Sequence, residues 1–221
     1  MHATADGHVV VLHDPTLDRT TSGTGPVNAI PLAALERLDA GARFRAPDGT
    51  FPFRDRGVRV PTLAALLERH PGVPLNIEIK QETPPIVDAV LRVLDDHDAR
   101  ESTLLAAEHA SIMTAIRAAA PDVLTSYSAP EVAEFVFGVR DGTLTGYRPP
   151  GIALQVPPEF GTTPIVTPAF VDAAHGFGLE VHVWTINDVA EMERLLDLDV
   201  DAIMTDFPAL GVSVLRGRGL R

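Results

Sequence analysis

Short apolar runs alternate with amphipathic segments along most of this chain. The runs predict seven strands, around residues 9, 75, 104, 124, 153, 182 and 203. Apolar residues at helical spacing predict the helices, over residues 86–97, 111–120, 130–139, 167–174 and 188–196, with a last one from residue 208. Strands separated by helices of about 10–15 residues are typical of βαβ units and a parallel sheet. The pattern therefore predicts an α/β fold, one unit short of a closed eightfold barrel.

Residues 15–61 interrupt this alternation. They are rich in Thr, Gly, Pro and Asp, and only residues 32–38 show the apolar spacing of a short helix. No repeat or low-complexity linker suggests a second domain. We therefore expect a single domain over residues 1–221, with an insertion at 15–61 after the first visible strand, residues 9–13.

The segment 75–80 places the only lysine of the chain two residues after a glutamate. Alternate residues of a strand point to the same face, so Asn76, Glu78 and Lys80 share one side. A carboxylate beside a flexible ammonium can hold a metal ion, a phosphate or a substrate oxygen. It can equally be a solvated ion pair on a half-buried strand.

Polar residues also follow the other strands. His13 and Asp14 end the first run, Gln155 lies near the end of the fifth, and Asp206 follows the seventh. In a barrel of parallel strands these ends form one face, where active sites are built. His13 suits a general acid or base, although a histidine bonded to backbone at a strand end is the alternative.

The sixth run adds His182, Trp184 and Asn187 at or just beyond its end. Trp184 is the only tryptophan, and His182 shares its face of the strand. The indole could stack on a ligand or fill the core, and its size favours core filling. No role is predicted for the remaining histidines, which are expected in loops or helices: His2, His8, His70, His97, His109 and His175.

Composition narrows the classes of function. A net charge of −12 argues against a nucleic-acid surface. The absence of cysteine excludes disulfides and thiolate sites. No apolar stretch approaches the roughly 20 residues of a membrane helix, and residues 1–7 do not resemble a signal peptide. We therefore expect a soluble, cytoplasmic protein.

Several segments, in this order, resemble the glycerophosphodiester phosphodiesterases. They are residues 7–21 (GHVVVLHDPTLDRTT), 23–25, 38–41, 60–63, 75–80 (LNIEIK), 182–187 (HVWTIN) and 200–206 (VDAIMTD). The resemblance covers nearly the whole chain. It implies a TIM (β/α)₈ barrel of the phospholipase-C-like type and a small insertion after the second barrel strand, which matches residues 15–61.

The resemblance also implies a reaction and a site. Members hydrolyse glycerophosphodiesters to glycerol 3-phosphate and an alcohol with a divalent cation, Mg²⁺ or Ca²⁺, and two acid–base histidines. His13 corresponds to one histidine, Glu78 to a metal ligand and Lys80 to a lysine facing the phosphate. The implied partner is a small glycerophosphodiester, and the candidate substrate-binding residues are Gln155, Trp184, Asn187 and Asp206.

Some parts of the family pattern have no counterpart in residues 1–221. These are the other histidine and two further metal carboxylates, carried by the first βα unit and part of the second strand. We therefore expect an N-terminally truncated, impaired member that could self-associate through an open barrel edge. The alternatives are a non-catalytic barrel remnant that binds phosphate esters, or another phospholipase-C-like phosphodiesterase.

Overall fold

The computed structural model describes residues 1–220, which divide into two compact units, Met1–Leu124 and the residues from Thr125 onward. The elements up to the boundary are β1 (His2–Ala3), β2 (Val9–Val10), α1 (Leu32–Leu35), α2 (Leu63–Arg69), β3 (Leu75–Glu78), α3 (Val87–Asp96), β4 (Thr103–Ala106), α4 (Ala110–Ala119) and β5 (Leu124–Thr125). The later elements are α5 (Ala129–Asp141), β6 (Ala153–Val156), β7 (Glu159–Phe160), β8 (Thr163–Pro164), α6 (Pro168–Gly176), β9 (Glu180–Val183), α7 (Val189–Asp197), β10 (Ala202–Ile203) and α8 (Pro208–Gly217).

The first unit is built on a parallel sheet with the strand order β3-β4-β5. Ile77 and Ile79 alternate with the polar residues of the segment 75–80, and both are buried. The buried stripe of α3 packs in the same core through Val90 and Leu94. The alternation of segment 75–80 thus sends its apolar side chains inward, as predicted, and leaves Glu78 and Lys80 partly accessible.

The chain start differs from the prediction. Val9–Val10 was expected to belong to a parallel barrel strand over residues 9–13, but it pairs antiparallel with His2–Ala3. The turn between them contains Gly7 at φ +84°, and the amide of Gly7 donates to the carbonyl of Thr4 (3.0 Å). An Asp-Gly pair between two strands is a hairpin signal, and it outweighs the β-branched run that suggested a longer strand.

The predicted insertion has a small core of its own. Leu17, Val27 and Leu35 are buried there together with Val10 and Val60. Its helix α1 is shorter than predicted, because it ends at Leu35 rather than residue 38. Helix α2, which follows the insertion, was not predicted; the hydroxyl of Thr62 accepts from the amide of Ala65 and caps it.

The second unit contains a parallel sheet with the order β10-β9-β6. Leu154 and Val181 are fully buried within this unit, together with Phe135 and Leu195 from its helices. Thr167 caps α6 and Asp188 caps α7, and these caps fix where the two helices begin, the second of them shortly after β9. The residues beyond β9 are therefore held at defined positions.

All seven predicted strands are present, and six helices follow the predicted spacing closely: α3, α4, α5, α6, α7 and α8. The hairpin β7–β8 was not predicted, nor was β1, so the expectation that His2 lies in a loop or helix is wrong. Within residues 1–220, none of the helices combines the length and the apolar character required to cross a bilayer.

Candidate active site

Glu78 and Lys80 meet at the end of β3. Lys80 Nζ lies 2.7 Å from Glu78 Oε2, and about a quarter of the lysine side chain is exposed. This is the ion pair that the spacing of two residues allowed for. A partly buried ammonium at a strand end keeps donors for a phosphate oxygen, because one carboxylate oxygen occupies only one of its three N–H groups.

The backbone around this pair is fixed by the first strand. The amide of Lys80 donates to the carbonyl of Met1 (3.2 Å), and the amide of Ala3 donates to the side-chain oxygen of Gln81 (3.0 Å). Gln81 is buried, and its amide nitrogen donates to the carbonyl of Pro84 (2.9 Å). These bonds hold β1 beside the end of β3, and β4 pairs with β3 on its other side, so the backbone at Lys80 is fixed.

His13 is hydrogen-bonded to the next residue, Asp14, which in turn binds Arg19. Its Nδ1 donates to Asp14 Oδ1 (2.8 Å), and Asp14 also accepts two hydrogen bonds from Arg19, at 2.6 and 2.9 Å. Because the carboxylate only accepts, Nδ1 carries the proton and Nε2 of the neutral imidazole keeps its lone pair. The His13 side chain is 73% exposed, so this nitrogen can accept a proton from a ligand.

His2 is a candidate that the sequence did not single out. It is buried, and its Nε2 donates to the carbonyl of His13 (3.1 Å). Burial lowers the pKa of the His2 imidazole; the bond to the His13 carbonyl opposes this shift, and the positive charges of Lys80 and His13 add to it. His2 therefore contacts the backbone of His13 and lies within electrostatic range of Lys80. The Asp6-Gly7 turn, which predicts a hairpin strand at His2, is the sequence signal that could have found it.

The pKa of Asp14 should give the folded state a measurable pH dependence. Hydrogen bonds from Arg19, and then from His13, hold this pKa well below its usual range. A depressed pKa stabilises the fold above about pH 4, and the contribution is lost as the pH falls through the folded value. We expect Asp14→Asn to lower the free energy of unfolding at pH 7 by about 0.5–1 kcal/mol, the range for accessible ion pairs.

Urea unfolding at pH 7 and pH 3 measures this difference. The deficit of the variant should shrink at pH 3, where the wild-type carboxylate begins to lose its advantage. Asp172→Asn, at an exposed position of α6, is the matched control and should match the wild type at both pH values. A deficit that is equal at the two pH values would contradict the assigned ion pair.

Asn187 and Asp206 come together in the second unit. Asn187 Nδ2 donates to Asp206 Oδ2 (2.9 Å), and Asn187 Oδ1 accepts from the Asp206 amide (3.0 Å) and from the Thr205 hydroxyl (3.1 Å). These bonds join the loop after β9 to the loop after β10. The pair remains exposed, so its second carboxylate oxygen is available to a polyol hydroxyl.

Gln155 and His182 are also neighbours. Gln155 Nε2 lies 3.5 Å from His182 Nδ1, and His182 Nε2 lies 2.8 Å from Glu180 Oε2. His182 is buried on β9, between Gln155 of the neighbouring strand β6 and Glu180 of its own strand. Its role is therefore structural.

Trp184 departs from expectation. Core filling was favoured for it, but 42% of the residue is exposed. The strand β9 ends at Val183, and the cis peptide bond between Trp184 and Thr185 lies just beyond. The interpretation as core filling is therefore wrong, and the residue is partly accessible to a ligand.

The side chains do not by themselves make a metal site. Among residues 1–220, no three histidine, aspartate or glutamate side chains converge where they could hold a metal ion. Mg²⁺ and Ca²⁺ take about six to eight oxygen ligands, whereas Glu78 supplies one carboxylate and directs it to Lys80. The assignment of Glu78 as a ligand of Mg²⁺ or Ca²⁺ stays a prediction.

Comparison with known proteins gives a consistent family. Residues 1–210 match the glycerophosphoryl diester phosphodiesterase family. A glycerophosphodiester phosphodiesterase of Caldanaerobacter subterraneus is 27% identical over 98% of this chain and 84% of its own length. One of Bacillus subtilis is 28% identical over 98% of this chain and 75% of its own.

A solved structure agrees with the fold. The glycerophosphodiester phosphodiesterase of Agrobacterium tumefaciens superimposes with a TM-score of 0.75 at 25% identity, over 96% of this chain and 84% of that one. The α/β elements and parallel strands match the TIM-barrel phosphodiesterase class expected from the sequence. Because the family match extends over nearly the whole length, this chain belongs to the glycerophosphoryl diester phosphodiesterase family.

Proposed function

We propose that this chain hydrolyses glycerophosphodiesters to glycerol 3-phosphate and an alcohol. The observation that carries the proposal is the family match over residues 1–210. The reaction forms a P–O bond from water and breaks the P–O bond to the alcohol, which leaves with a proton. It is a phosphoric diester hydrolysis, as in the named relatives.

Lys80 is proposed to bind a non-bridging phosphate oxygen. The diester is an anion, and attack on phosphorus concentrates further negative charge on these oxygens. An ammonium fixed at the end of β3 is positioned in advance, because hydrogen bonds to β1 on one side and pairing with β4 on the other hold its strand. Its pairing with Glu78 keeps the side chain directed to the strand end before substrate binds.

His13 is proposed as the group that moves the proton. Asp14 orients its ring through Nδ1 and leaves Nε2 accessible, which is the arrangement a general base requires. Once protonated at Nε2, the imidazolium is stabilised by the same carboxylate. His2 supports the backbone of His13 from the buried side and acts as a positioning residue.

Substrate binding is proposed for Gln155, Trp184, Asn187 and Asp206. The accessible indole of Trp184 and the hydrogen-bonding groups of Asn187 and Asp206 support this assignment. Gln155 has weaker support, because His182 is its neighbour. Members of the family are generally metal-dependent.

The test is the release of glycerol 3-phosphate from glycerophosphocholine and glycerophosphoethanolamine, measured with glycerol-3-phosphate dehydrogenase as the coupling enzyme. We expect release from both diesters and no phosphate release from glycerol 3-phosphate itself. Phosphate release from the monoester without diester cleavage would contradict the proposal. No observation favours the non-catalytic remnant, the impaired chain or self-association over this function.

A further inference from the structure

An exposed aromatic surface lies in the loop between α1 and α2. Phe44, Phe51 and Phe53 are 51%, 39% and 47% exposed, although they lie within ten residues of one another. The rings of Phe44 and Phe53 are in edge contact, with centroids 5.0 Å apart. Clustered exposed aromatic residues mark an interaction surface more often than scattered ones do.

The net charge of this loop is opposite in sign to that of the whole chain. Residues 41–59 carry five arginines and two aspartates, whereas the whole chain has a net charge of −12. Arg43 and Arg45 flank Phe44, and the guanidinium of Arg54 lies over the Phe51 ring at 3.8 Å. We call Phe44, Phe51, Phe53 and their neighbouring arginines the Phe–Arg surface.

In the part of the chain that the structure describes, the arginines of this loop form no close ion pair, although Arg54 and Arg59 help to lower the pKa of Asp39. Within residues 1–220, the ion pairs involve other arginines and none in the range 41–59. Arg54 donates instead to the carbonyl of Ala42 (2.9 Å), and Arg59 to the carbonyl of Val58 (3.1 Å). Their remaining donors are free for an external anion.

A pocket of about 550 Å³ is lined partly by this loop. It is lined by Arg37, Arg54 and Arg59 together with Asp39 and Asp55. The carboxylate of Asp39 already accepts from the amides of Gly41 and Asp55, both at 2.8 Å. Its negative charge is thus partly met by backbone donors, and the guanidinium groups face a space large enough for a phosphate head group.

The loop is held in shape even though it contains neither helix nor strand. The amide of Ala40 donates to the carbonyl of Val58 (3.0 Å), and that of Ala46 to the carbonyl of Thr50 (2.9 Å). A Cβ on Gly41 would meet the carbonyl oxygen of Phe53 at 2.2 Å, so its two arms approach too closely for any side chain. The rings are therefore presented by a closed loop.

We propose that the Phe–Arg surface docks this protein on an anionic phospholipid bilayer. Phenylalanine rings enter the boundary between head groups and acyl chains, while arginines bind lipid phosphates around them. A protein partner is less favoured, because arginines alternate with the rings in sequence instead of forming a rim around an apolar centre. The proposal is independent of the proposed catalytic function.

Co-sedimentation with large unilamellar vesicles tests the docking directly, without any diester present. We expect the protein to bind vesicles of equimolar phosphatidylglycerol and phosphatidylcholine, and to bind pure phosphatidylcholine at least about tenfold more weakly. Binding to the anionic vesicles should also fall when NaCl is raised from 20 to 500 mM, because salt screens the arginines.

Two variants and a matched control define the surface. Phe44→Ser/Phe53→Ser and Arg43→Gln/Arg45→Gln should each reduce binding to anionic vesicles about tenfold or more. Phe137 and Arg140 form a similar exposed pair in α5, with the guanidinium 4.9 Å from the ring centroid. Phe137→Ser/Arg140→Gln should therefore bind as the wild type does. Thermal unfolding of each variant shows whether the fold is intact.

Three results would overturn the proposal. The first is equal binding to neutral and anionic vesicles, and the second is wild-type binding by folded Phe44→Ser/Phe53→Ser. The third is a concentration-dependent dimer, seen by light scattering, that this variant abolishes while no vesicle binding occurs; the surface would then belong to a second copy of the chain.

Discussion

Replacing His13 by glutamine is expected to lower kcat/KM for glycerophosphocholine by about 10²–10⁴-fold, the range for loss of a general acid or base. The expectation follows from the orientation of the ring, since Asp14 binds Nδ1 and leaves the exposed Nε2 to exchange a proton with the substrate. The coupled glycerol 3-phosphate assay measures the effect.

His8→Gln is the matched control, because His8 is an exposed histidine in the turn of the preceding hairpin. It should retain wild-type activity. A purely structural role for His13 is separated by chemical rescue: added imidazole should restore part of the activity of His13→Gln and leave His8→Gln unchanged. Full activity of His13→Gln without imidazole would show that His13 takes no part in the reaction.

Replacing Lys80 by alanine is expected to lower kcat/KM by about 10²–10³-fold, the range for losing one donor to a developing negative charge. Lys80 is the only lysine of the chain, and it is fixed at the end of β3 beside Glu78. The loss should appear in kcat as well as in KM, because the charge it meets grows in the transition state.

The control for Lys80 is another ion pair of similar geometry. Arg194 contacts Glu191 at 2.6 Å on α7, and Arg194→Ala should leave the activity unchanged. Lys80→Arg separates charge from shape: it keeps the charge but replaces a compact ammonium with a planar guanidinium, so partial activity is expected. If Lys80→Ala kept more than about a third of the activity, Lys80 would not contact the reacting phosphate.

Most of the regular elements could be predicted because local signals agreed with tertiary packing. The apolar spacing of residues 86–97 became α3, whose stripe lies in the core of the first unit. Thr167 followed by Pro168 marks one helix start, and Asn187 or Asp188 marks another; the structure shows side-chain caps at Thr167 and Asp188. Periodicity and capping are both local, so the sequence alone carries them.

The elements that were missed are the helix α2 and three short strands. The strands β1, β7 and β8 have two residues each, too few for an alternation to be recognised. At the chain start the turn at Asp6-Gly7 was the better signal, and the run from Val9 concealed it. As a result, His13 lies three residues beyond Val10 rather than at the end of a barrel strand.

In the candidate site, too, some contacts follow from the local sequence and others depend on tertiary structure. Contact between Glu78 and Lys80 follows from alternation within one strand. The bonds between Asn187 and Asp206 join positions that are 19 residues apart, and no local pattern specifies them. The burial of His2 and the exposure of Trp184 depend on which strands surround them, so they needed the structure.

The most direct test of the proposed reaction is a ³¹P NMR time course of glycerophosphocholine with the purified chain. We expect the diester resonance to be replaced by that of glycerol 3-phosphate, and Lys80→Ala to slow this conversion about 10²–10³-fold. Formation of phosphocholine would place the cleavage on the other side of phosphorus and contradict the account, and so would a diester resonance that stays unchanged.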